Sequence, residues 1–275
     1  MDTARVNGTD LAYIERGSGE PVVLVHGTLG DLRSWELQLD ALSRDHRVIS
    51  YSRRYHHPNP CRGDETDYSA ELHADDLAAF ISALGLGSAH VVGNSYGAYT
   101  ALLLAARHPD RVRTLVLGEP PAFPLLEGHP EGQPLRDDFL ADVWVPTGQI
   151  MARGEIDHGI RTFVDGLFGA GAFHQLPGEV LELLRDNACE FALETSDPAF
   201  WTPFTCVEAA QVRTPTLVVS GGRSLRMFRL IAEQLNRCLP DSTHVQIAHC
   251  SHDLPSEDPD SYRDAVLPFL HRYRS

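Results

Sequence analysis

Short apolar runs alternate with amphipathic segments along most of the 275-residue chain. Continuous apolar runs are typical of strands that are buried on both faces of a parallel sheet. They occupy residues 21–25, 47–51, 90–92, 112–117, 216–219 and 243–247. The clearest helical segments are residues 70–84, 96–107, 225–239 and 259–272. Alternation of strand and helix predicts an α/β fold with a mostly parallel central sheet flanked by helices.

Two regions depart from this alternation. Residues 4–15 are predicted to form a β-hairpin, because Asn7-Gly8 is a strong two-residue turn signal. Residues 120–210 begin with many prolines and glycines and continue with helical stretches. We interpret this block as a helical lid (cap) inserted into a core domain of residues 1–119 and 211–275. Its aromatic residues are candidates for an apolar pocket wall, although most are expected to be lid core: Phe123, Phe139, Trp144, Phe163, Phe168, Phe173, Phe200, Trp201 and Phe204.

Composition and charge narrow the possible partners. The formal net charge is -15 and no basic stretch offsets it, so nucleic acid is not expected as a partner. No apolar stretch approaches the length of a membrane span and the N-terminus does not resemble a signal peptide, so we expect a cytoplasmic protein without membrane contact. The five cysteines are odd in number and lack CxxC spacing, and we expect reduced thiols rather than disulfides or a zinc site.

A candidate nucleophile lies in the sequence Gly93-Asn94-Ser95-Tyr96-Gly97. The five residues stand between a strand predicted to end at Val92 and a helix predicted to begin at Tyr96, which is the context of a G-x-S-x-G nucleophile elbow. The bare pattern also arises by chance. Its placement after a buried strand, with the loop His26-Gly27-Thr28-Leu29-Gly30 after an earlier one, favours Ser95 as a nucleophile.

With the elbow and the HG loop, the C-terminal segment of residues 248–259 makes the chain resemble the α/β-hydrolase superfamily along almost its full length. That resemblance implies an oxyanion hole formed by the backbone N–H groups of Thr28 and Tyr96. It also implies that His252 is the general base, when the segment is aligned with the family's ending through Glu257. His249 is a rival, at a position where the family usually has glycine, and substrate contact suits it better than catalysis.

The acid that should orient the histidine departs from the common family pattern. The family usually places an aspartate in a G-x-x-D segment, whereas this chain reads Gly221-Gly222-Arg223-Ser224, and the next carboxylate, Glu233, falls inside a helix. Glu119 directly follows the sixth predicted strand, and ligands gather at such strand ends. In this placement the chain is similar to zearalenone lactonases, so Glu119 is the favoured acid. Asp253 is less suitable, because adjacent side chains on an extended loop diverge.

These residues predict a serine hydrolase that cleaves an ester or lactone of a hydrophobic small molecule through an acyl-enzyme. No metal or organic cofactor is expected. The loop of residues 51–57 could line the pocket, although its basic residues are of a kind that is usually solvated. Epoxide hydrolases and dehalogenases of the superfamily use an aspartate nucleophile. This chain has Ser95 at that position, so both activities are disfavoured. The sequence is compatible with both a monomer and a homodimer.

Two other classes of function stay open at this stage, because a fold does not fix a function. A non-hydrolytic enzyme of the same fold (C–C bond cleavage, lyase, cyclase or cofactor-free oxygenase) would use His252 as base and Ser95 only to position the substrate. Cofactor-free oxygenases of this fold also resemble the chain in the placement of their acid. A non-catalytic binding protein would bind its ligand without turnover.

Overall fold

The computed structural model of the protein describes residues 1–196 and 202–274. Its strands are Asp2–Val6 (β1), Thr9–Arg16 (β2), Pro21–Val25 (β3), Arg47–Tyr51 (β4), Ala89–Asn94 (β5), Val112–Gly118 (β6), Thr216–Gly221 (β7) and Ser242–Ile247 (β8). They form one sheet of eight strands in the order β1-β2-β4-β3-β5-β6-β7-β8. The β1–β2 and β2–β4 pairs are antiparallel and all other pairs are parallel. The predicted hairpin and the mostly parallel sheet are confirmed.

Helices connect the strands and cover both faces of the sheet. They are Glu36–Leu42 (α1), Ala70–Ala83 (α2), Tyr96–Arg107 (α3), Gly132–Phe139 (α4), Val145–Met151 (α5), Ile156–Phe168 (α6), Gly178–Asp186 (α7), Ala188–Glu194 (α8), Cys206–Ala209 (α9), Arg226–Cys238 (α10), Leu254–Glu257 (α11) and Pro259–Arg272 (α12). The last helix begins as its sequence predicts. Pro259 stands at the first helical position, and the Asp258 side chain accepts a hydrogen bond from the Ser261 amide at 3.0 Å.

The apolar strands divide their side chains between two cores. Val23 and Val25 of β3 pack in the cluster that includes α2, α3 and α10, whereas Val22 and Leu24 pack against α1 and α12. Successive side chains of a strand point to opposite faces, so a continuous apolar run supplies both cores at once. This burial on both sides fixes the strands whose ends carry the candidate site.

The segment predicted as a lid contains α4 to α9 and leads to β7. Six of its described aromatic side chains are buried in the same hydrophobic cluster as α3 and α10: Phe123, Phe139, Trp144, Phe163, Phe191 and Phe204. Phe168 is 41% exposed. Phe200 and Trp201 lie outside the described residues. Most of the described aromatic residues therefore pack this segment onto the core.

The cysteines differ from the prediction. Cys61 is disulfide-bonded to Cys189, and Cys206 to Cys238, with Cα–Cα distances of 6.2 Å and 5.2 Å, while Cys250 is a buried free thiol. The expectation of reduced thiols is wrong for four of the five. Sequence separations of 128 and 32 residues carry no spacing signal, and only the folded chain brings the partners together. Among the residues described, no helix is long and apolar enough to cross a membrane.

Candidate active site

The candidate residues follow neighbouring strands that end at the same edge of the sheet. In the strand register, Val25 of β3 pairs with Gly93, Asn94 of β5 pairs with Gly118, and Gly118 of β6 pairs with Val219. The carboxyl edge of an open parallel sheet is where ligands gather. The HG loop, the elbow and the acid-bearing turn therefore meet at one place, although they lie far apart in sequence.

The turn from β5 into α3 has the geometry of a nucleophile elbow. Ser95 lies at φ 54° and ψ −129°, a strained conformation for a residue with a side chain. A Cβ atom at Gly93 would lie 2.5 Å from the backbone of Gly97, and one at Gly97 would lie 2.1 Å from the carbonyl oxygen of Val25. Both positions therefore require glycine, as the sequence motif predicts.

Ser95, His252 and Glu119 form a continuous chain of hydrogen bonds. Nε2 of His252 lies 2.9 Å from Oγ of Ser95, and Nδ1 of His252 lies 2.7 Å from Oε2 of Glu119. An ionised carboxylate can only accept a hydrogen bond, so the proton of a neutral imidazole sits on Nδ1. Nε2 is then left with a lone pair that faces the Ser95 hydroxyl. Chemically, this arrangement can remove the hydroxyl proton as a carbonyl carbon is attacked.

The Glu119 carboxylate is held rigidly. Its side chain is fully buried, and its Oε1 accepts a hydrogen bond of 2.7 Å from the Gly221 amide. Its backbone lies at φ 45°, and its own amide donates to the carbonyl of Val219 at 3.1 Å. Leu29 of the HG loop and Ser95 also have positive φ, so three strained residues meet at this site. Such strain persists where the surrounding structure fixes it and is often found at functional sites.

The rival residues have other partners. His249, whose side chain is 59% exposed, lies 2.5 Å from Asp258. Glu233 pairs with Arg226 at 2.7 Å. The Asp253 carboxylate hydrogen-bonds to Ser256. The structure thus brings together Ser95, His252 and Glu119, and it gives none of these three rivals a place in that chain of hydrogen bonds.

A small apolar cavity opens on the serine and the histidine. Its volume is about 20 Å³. Thr28, Ser95 and His252 form its polar end, and the remaining wall consists of Pro121, Phe123, Phe139, Trp144, Phe163, Leu167 and Phe228. Phe228 packs on the imidazole of His252, with 4.3 Å between the ring centroids. Most of the apolar wall thus comes from the segment of residues 120–210.

Both candidate oxyanion residues lie next to Ser95, Thr28 in the lining of the same cavity and Tyr96 directly after it in the chain. Thr28 follows β3 in the HG loop and lies in the cavity wall. Tyr96 is the first residue of α3. The first N–H groups of a helix have no acceptor within the helix, and the helix dipole adds partial positive charge there. A helix N-terminus directly after Ser95 therefore suits a developing oxyanion.

Sequence reasoning missed a buried charged cluster beside the site. Arg53 was expected to be solvated, but it is 1% exposed, and Glu190 and Glu194 of α8 are fully buried. Burial raises the pKa of Glu190 to about 7, and burial together with the charge of Glu190 raises the pKa of Glu194 well above its usual value. The signal in the sequence is slight: two glutamates four residues apart, on one face of an otherwise apolar helix. Within the described ranges, no group of three or more His, Cys, Asp or Glu could hold a metal ion.

Comparison with known proteins agrees with the fold, which is that of an α/β hydrolase. The model of the alpha/beta hydrolase fold family matches residues 20–160, about half of the chain. RutD of Azorhizobium caulinodans, provisionally named a carbamate hydrolase, is 34% identical over 281 residues, covering 98% of both chains. The chain belongs to the α/β hydrolase family, and the predicted fold class is confirmed.

Other relatives differ in their named reactions. The 2-hydroxy-6-oxo-6-(2'-aminophenyl)hexa-2,4-dienoic acid hydrolase of Metapseudomonas resinovorans is 26% identical over 272 residues, covering 96% of this chain and 89% of that protein. The enol-lactonase structure from Burkholderia xenovorans LB400 superposes with a TM-score of 0.79 at 24% identity, covering 98% of this chain and all of that one, and shows the shared fold. The chain spans only about half the length of two further curated relatives.

Proposed function

We propose that the protein is a serine hydrolase that cleaves an ester or lactone of a hydrophobic small molecule. The observation that carries the proposal is the hydrogen-bonded chain Glu119–His252–Ser95, which ends at an apolar cavity. A polar reactive end with an apolar wall suits a carbonyl group attached to a hydrophobic body. Named activities among the similar proteins include lactone and ester hydrolysis.

In the proposed mechanism, Ser95 attacks the carbonyl carbon while Nε2 of His252 takes its proton. Glu119 keeps the proton of the imidazole on Nδ1 and stabilises the imidazolium that forms. The amides of Thr28 and Tyr96 hold the oxyanion, each contributing on the order of 10²–10³ in rate. His252 then returns the proton to the leaving oxygen, and a water activated by the same imidazole releases the acyl group. His252, positioned as the general base, adds a further factor of about 10²–10⁴ in rate.

We also propose that residues 120–210 act as a lid over this site. They supply most of the apolar cavity wall. A cavity of about 20 Å³ has room for about one water molecule, so a substrate enters only when wall side chains are displaced. Phe168, the exposed aromatic of α6, lies 6.3 Å from the His252 ring and is the candidate gate at the edge of the wall.

The test is turnover of a panel of aryl esters, acyl esters and macrocyclic lactones, followed by trapping of the intermediate. An aryl ester should give a burst of phenol, and rapid acid quenching should leave the acyl group on the peptide that contains Ser95. Ser95→Ala should show neither the burst nor the adduct. Steady turnover of the whole panel without an adduct, and with Ser95→Ala still active, would contradict the proposal.

A second candidate is hydrolysis of a carbon–carbon bond, with His252 as base and Ser95 positioning the substrate. It is favoured by the similarity to the hexadienoic acid hydrolase, which extends over 96% of this chain. The compound in that relative's name therefore belongs in the panel. Cleavage of this compound by Ser95→Ala, with no ester turned over by the wild type, would support the second candidate over the first.

A further inference from the structure

The charged cluster beside the site is buried and incompletely paired. It consists of Arg53, Glu190 and Glu194, and we call it the Arg53 cluster. Nη1 of Arg53 lies 4.0 Å from Oε1 of Glu190. In the part of the chain that the structure describes, Nε and Nη1 of Arg53 and Oε2 of both glutamates have no hydrogen-bond partner. Burial of charged groups without full pairing costs free energy.

The cluster contacts both residues of the proposed oxyanion hole. Oγ1 of Thr28 donates a hydrogen bond of 2.7 Å to Oε1 of Glu194. The Arg53 guanidinium lies over the Tyr96 ring, 4.4 Å from its centroid, and Nη2 donates to the carbonyl of Gly27 at 3.3 Å. Thr28 belongs to the HG loop and Tyr96 begins α3, and the Arg53 cluster contacts the side chain of each.

The cluster also joins this site to the proposed lid. Glu190 and Glu194 lie four residues apart on α8, so both face the same side of that helix. Arg53 belongs to the loop after β4, in the core. The hydrogen bond from Thr28 to Glu194 therefore links the HG loop to a helix 166 residues away in sequence. Movement of α8 would change the contacts that hold the Thr28 loop.

We propose that Arg53 and Glu194 are positioning residues. They hold the amides of Thr28 and Tyr96 at the spacing that a tetrahedral oxyanion needs, and this spacing depends on α8 being packed against the core. The inference rests on the proposed function. Catalytic donors must be fixed within about 0.5 Å of their productive places, so a loop carrying one donor gains from a buried tether. Loss of the tether should weaken oxyanion stabilisation more than substrate binding.

The charge state of the cluster supports this role. Arg53 carries one positive charge, and burial raises the pKa of both Glu190 and Glu194, so protonation of these carboxyl groups is easier than in a solvated glutamate. The pair is faced by Tyr68 and His56 from the same loop as Arg53, by His73 from α2, and by Tyr96 from α3. Burial lowers the pKa of both histidines well below its usual value. A neutral Glu194 can accept the Thr28 hydroxyl without opposing a nearby oxyanion.

The test compares kcat, KM and the affinity for phenylboronic acid, which forms a tetrahedral adduct with an active-site serine. Thr28→Val, Glu194→Leu and Arg53→Met should each lower kcat for 4-nitrophenyl butanoate by about 10- to 100-fold and weaken boronate binding equally, with KM within about threefold. Glu194→Gln keeps an oxygen that can accept the hydrogen bond from Thr28, so it should stay within about threefold of wild type.

The buried Arg54–Asp76 pair, at 2.6 Å, provides the structural control. Asp76→Asn should lower the melting temperature and leave kcat and boronate affinity per folded molecule unchanged. Wild-type kcat in folded Thr28→Val and Glu194→Leu would overturn the positioning proposal while Ser95-dependent turnover keeps the hydrolase proposal. Absence of Ser95-dependent turnover and of boronate binding in the wild type would overturn both.

Discussion

The carboxylate of Glu119 is hydrogen-bonded to the amide of Gly221, with 2.7 Å between Oε1 and the amide nitrogen. The glutamate follows β6, but its carboxylate reaches the end of β7, where the family usually carries its acid. The longer side chain of glutamate spans the distance between neighbouring strands. The other oxygen is left to meet Nδ1 of His252 at 2.7 Å. The acid that follows β6 thus reaches the place at the end of β7 where the family usually carries its acid.

Glu119→Gln should lower kcat by about 10³–10⁴-fold while the fold is kept. The amide can still accept from Gly221 through its oxygen, but its NH2 group would face Nδ1 and favour the wrong imidazole tautomer. Steady-state kinetics with an ester that the wild type hydrolyses, together with a thermal melt, measures this. An activity within tenfold of wild type would remove Glu119 from the proposed mechanism.

The place of the usual acid can be tested by restoring it. Ser224 is buried, and its Oγ lies 2.7 Å from where a Cβ of Gly221 would stand, beside the anchored carboxylate. Ser224→Asp in the Glu119→Gln background should recover at least about tenfold of the lost kcat, because a carboxylate returns to the imidazole. Ser224→Asn in the same background is the matched control and should recover nothing. Equal rates for Asp and Asn would show that the β7 position does not reach His252.

The two disulfides should contribute unequally to stability. In the loop-entropy description, closing a loop of 128 residues stabilises by about 5 kcal/mol and closing one of 32 residues by about 4 kcal/mol. Paired serine substitutions at Cys61 and Cys189 should therefore lower the free energy of unfolding more than those at Cys206 and Cys238. Urea unfolding under non-reducing conditions measures both. If unfolding is unchanged in each double variant and free-thiol titration finds five thiols in the wild type, the bonds do not form in solution.

Stability should fall as the pH drops from about 6.5 to 4, in part because of His90. Burial lowers the pKa of His90 to about 4, and this effect outweighs the nearby Glu20 carboxylate, which acts to raise it. In this window the unfolded state binds a proton that the folded state does not, so the free energy of unfolding rises with pH.

His90→Gln removes that proton from the balance and should flatten the slope by up to about 1.4 kcal/mol per pH unit. Urea unfolding at several pH values between 4 and 7.5 gives the slope. Identical slopes for wild type and His90→Gln would mean that this histidine titrates alike in both states.

The sequence predicted the fold well because its apolar runs report burial directly. The runs at residues 21–25 and 47–51 coincide with β3 and β4, and the predicted helix at residues 96–107 coincides with α3. Each of these elements is bounded by a local signal, such as the elbow that begins α3. A local sequence pattern is sufficient to predict an element whose structure is determined by residues close together in sequence.

Contacts between segments that are far apart in sequence could not be predicted from local patterns. The Cys61–Cys189 bond and the Thr28–Glu194 hydrogen bond join residues 128 and 166 positions apart. Arg53 looks like a solvated residue because its sequence neighbours are polar, and only the folded chain encloses it with Glu190. Such pairings depend on how α8 packs on the core, which the pattern of α8 alone does not specify.

The most direct test of the proposed chemistry is the rate of Ser95→Ala on a substrate that the wild type hydrolyses. We expect a loss in kcat of at least about 10³-fold, because the nucleophile is removed while the oxyanion donors and the cavity remain. The melting temperature should stay close to that of the wild type. A folded Ser95→Ala variant that keeps kcat within tenfold of wild type would contradict the proposed mechanism and assign the reaction to His252 without a covalent step.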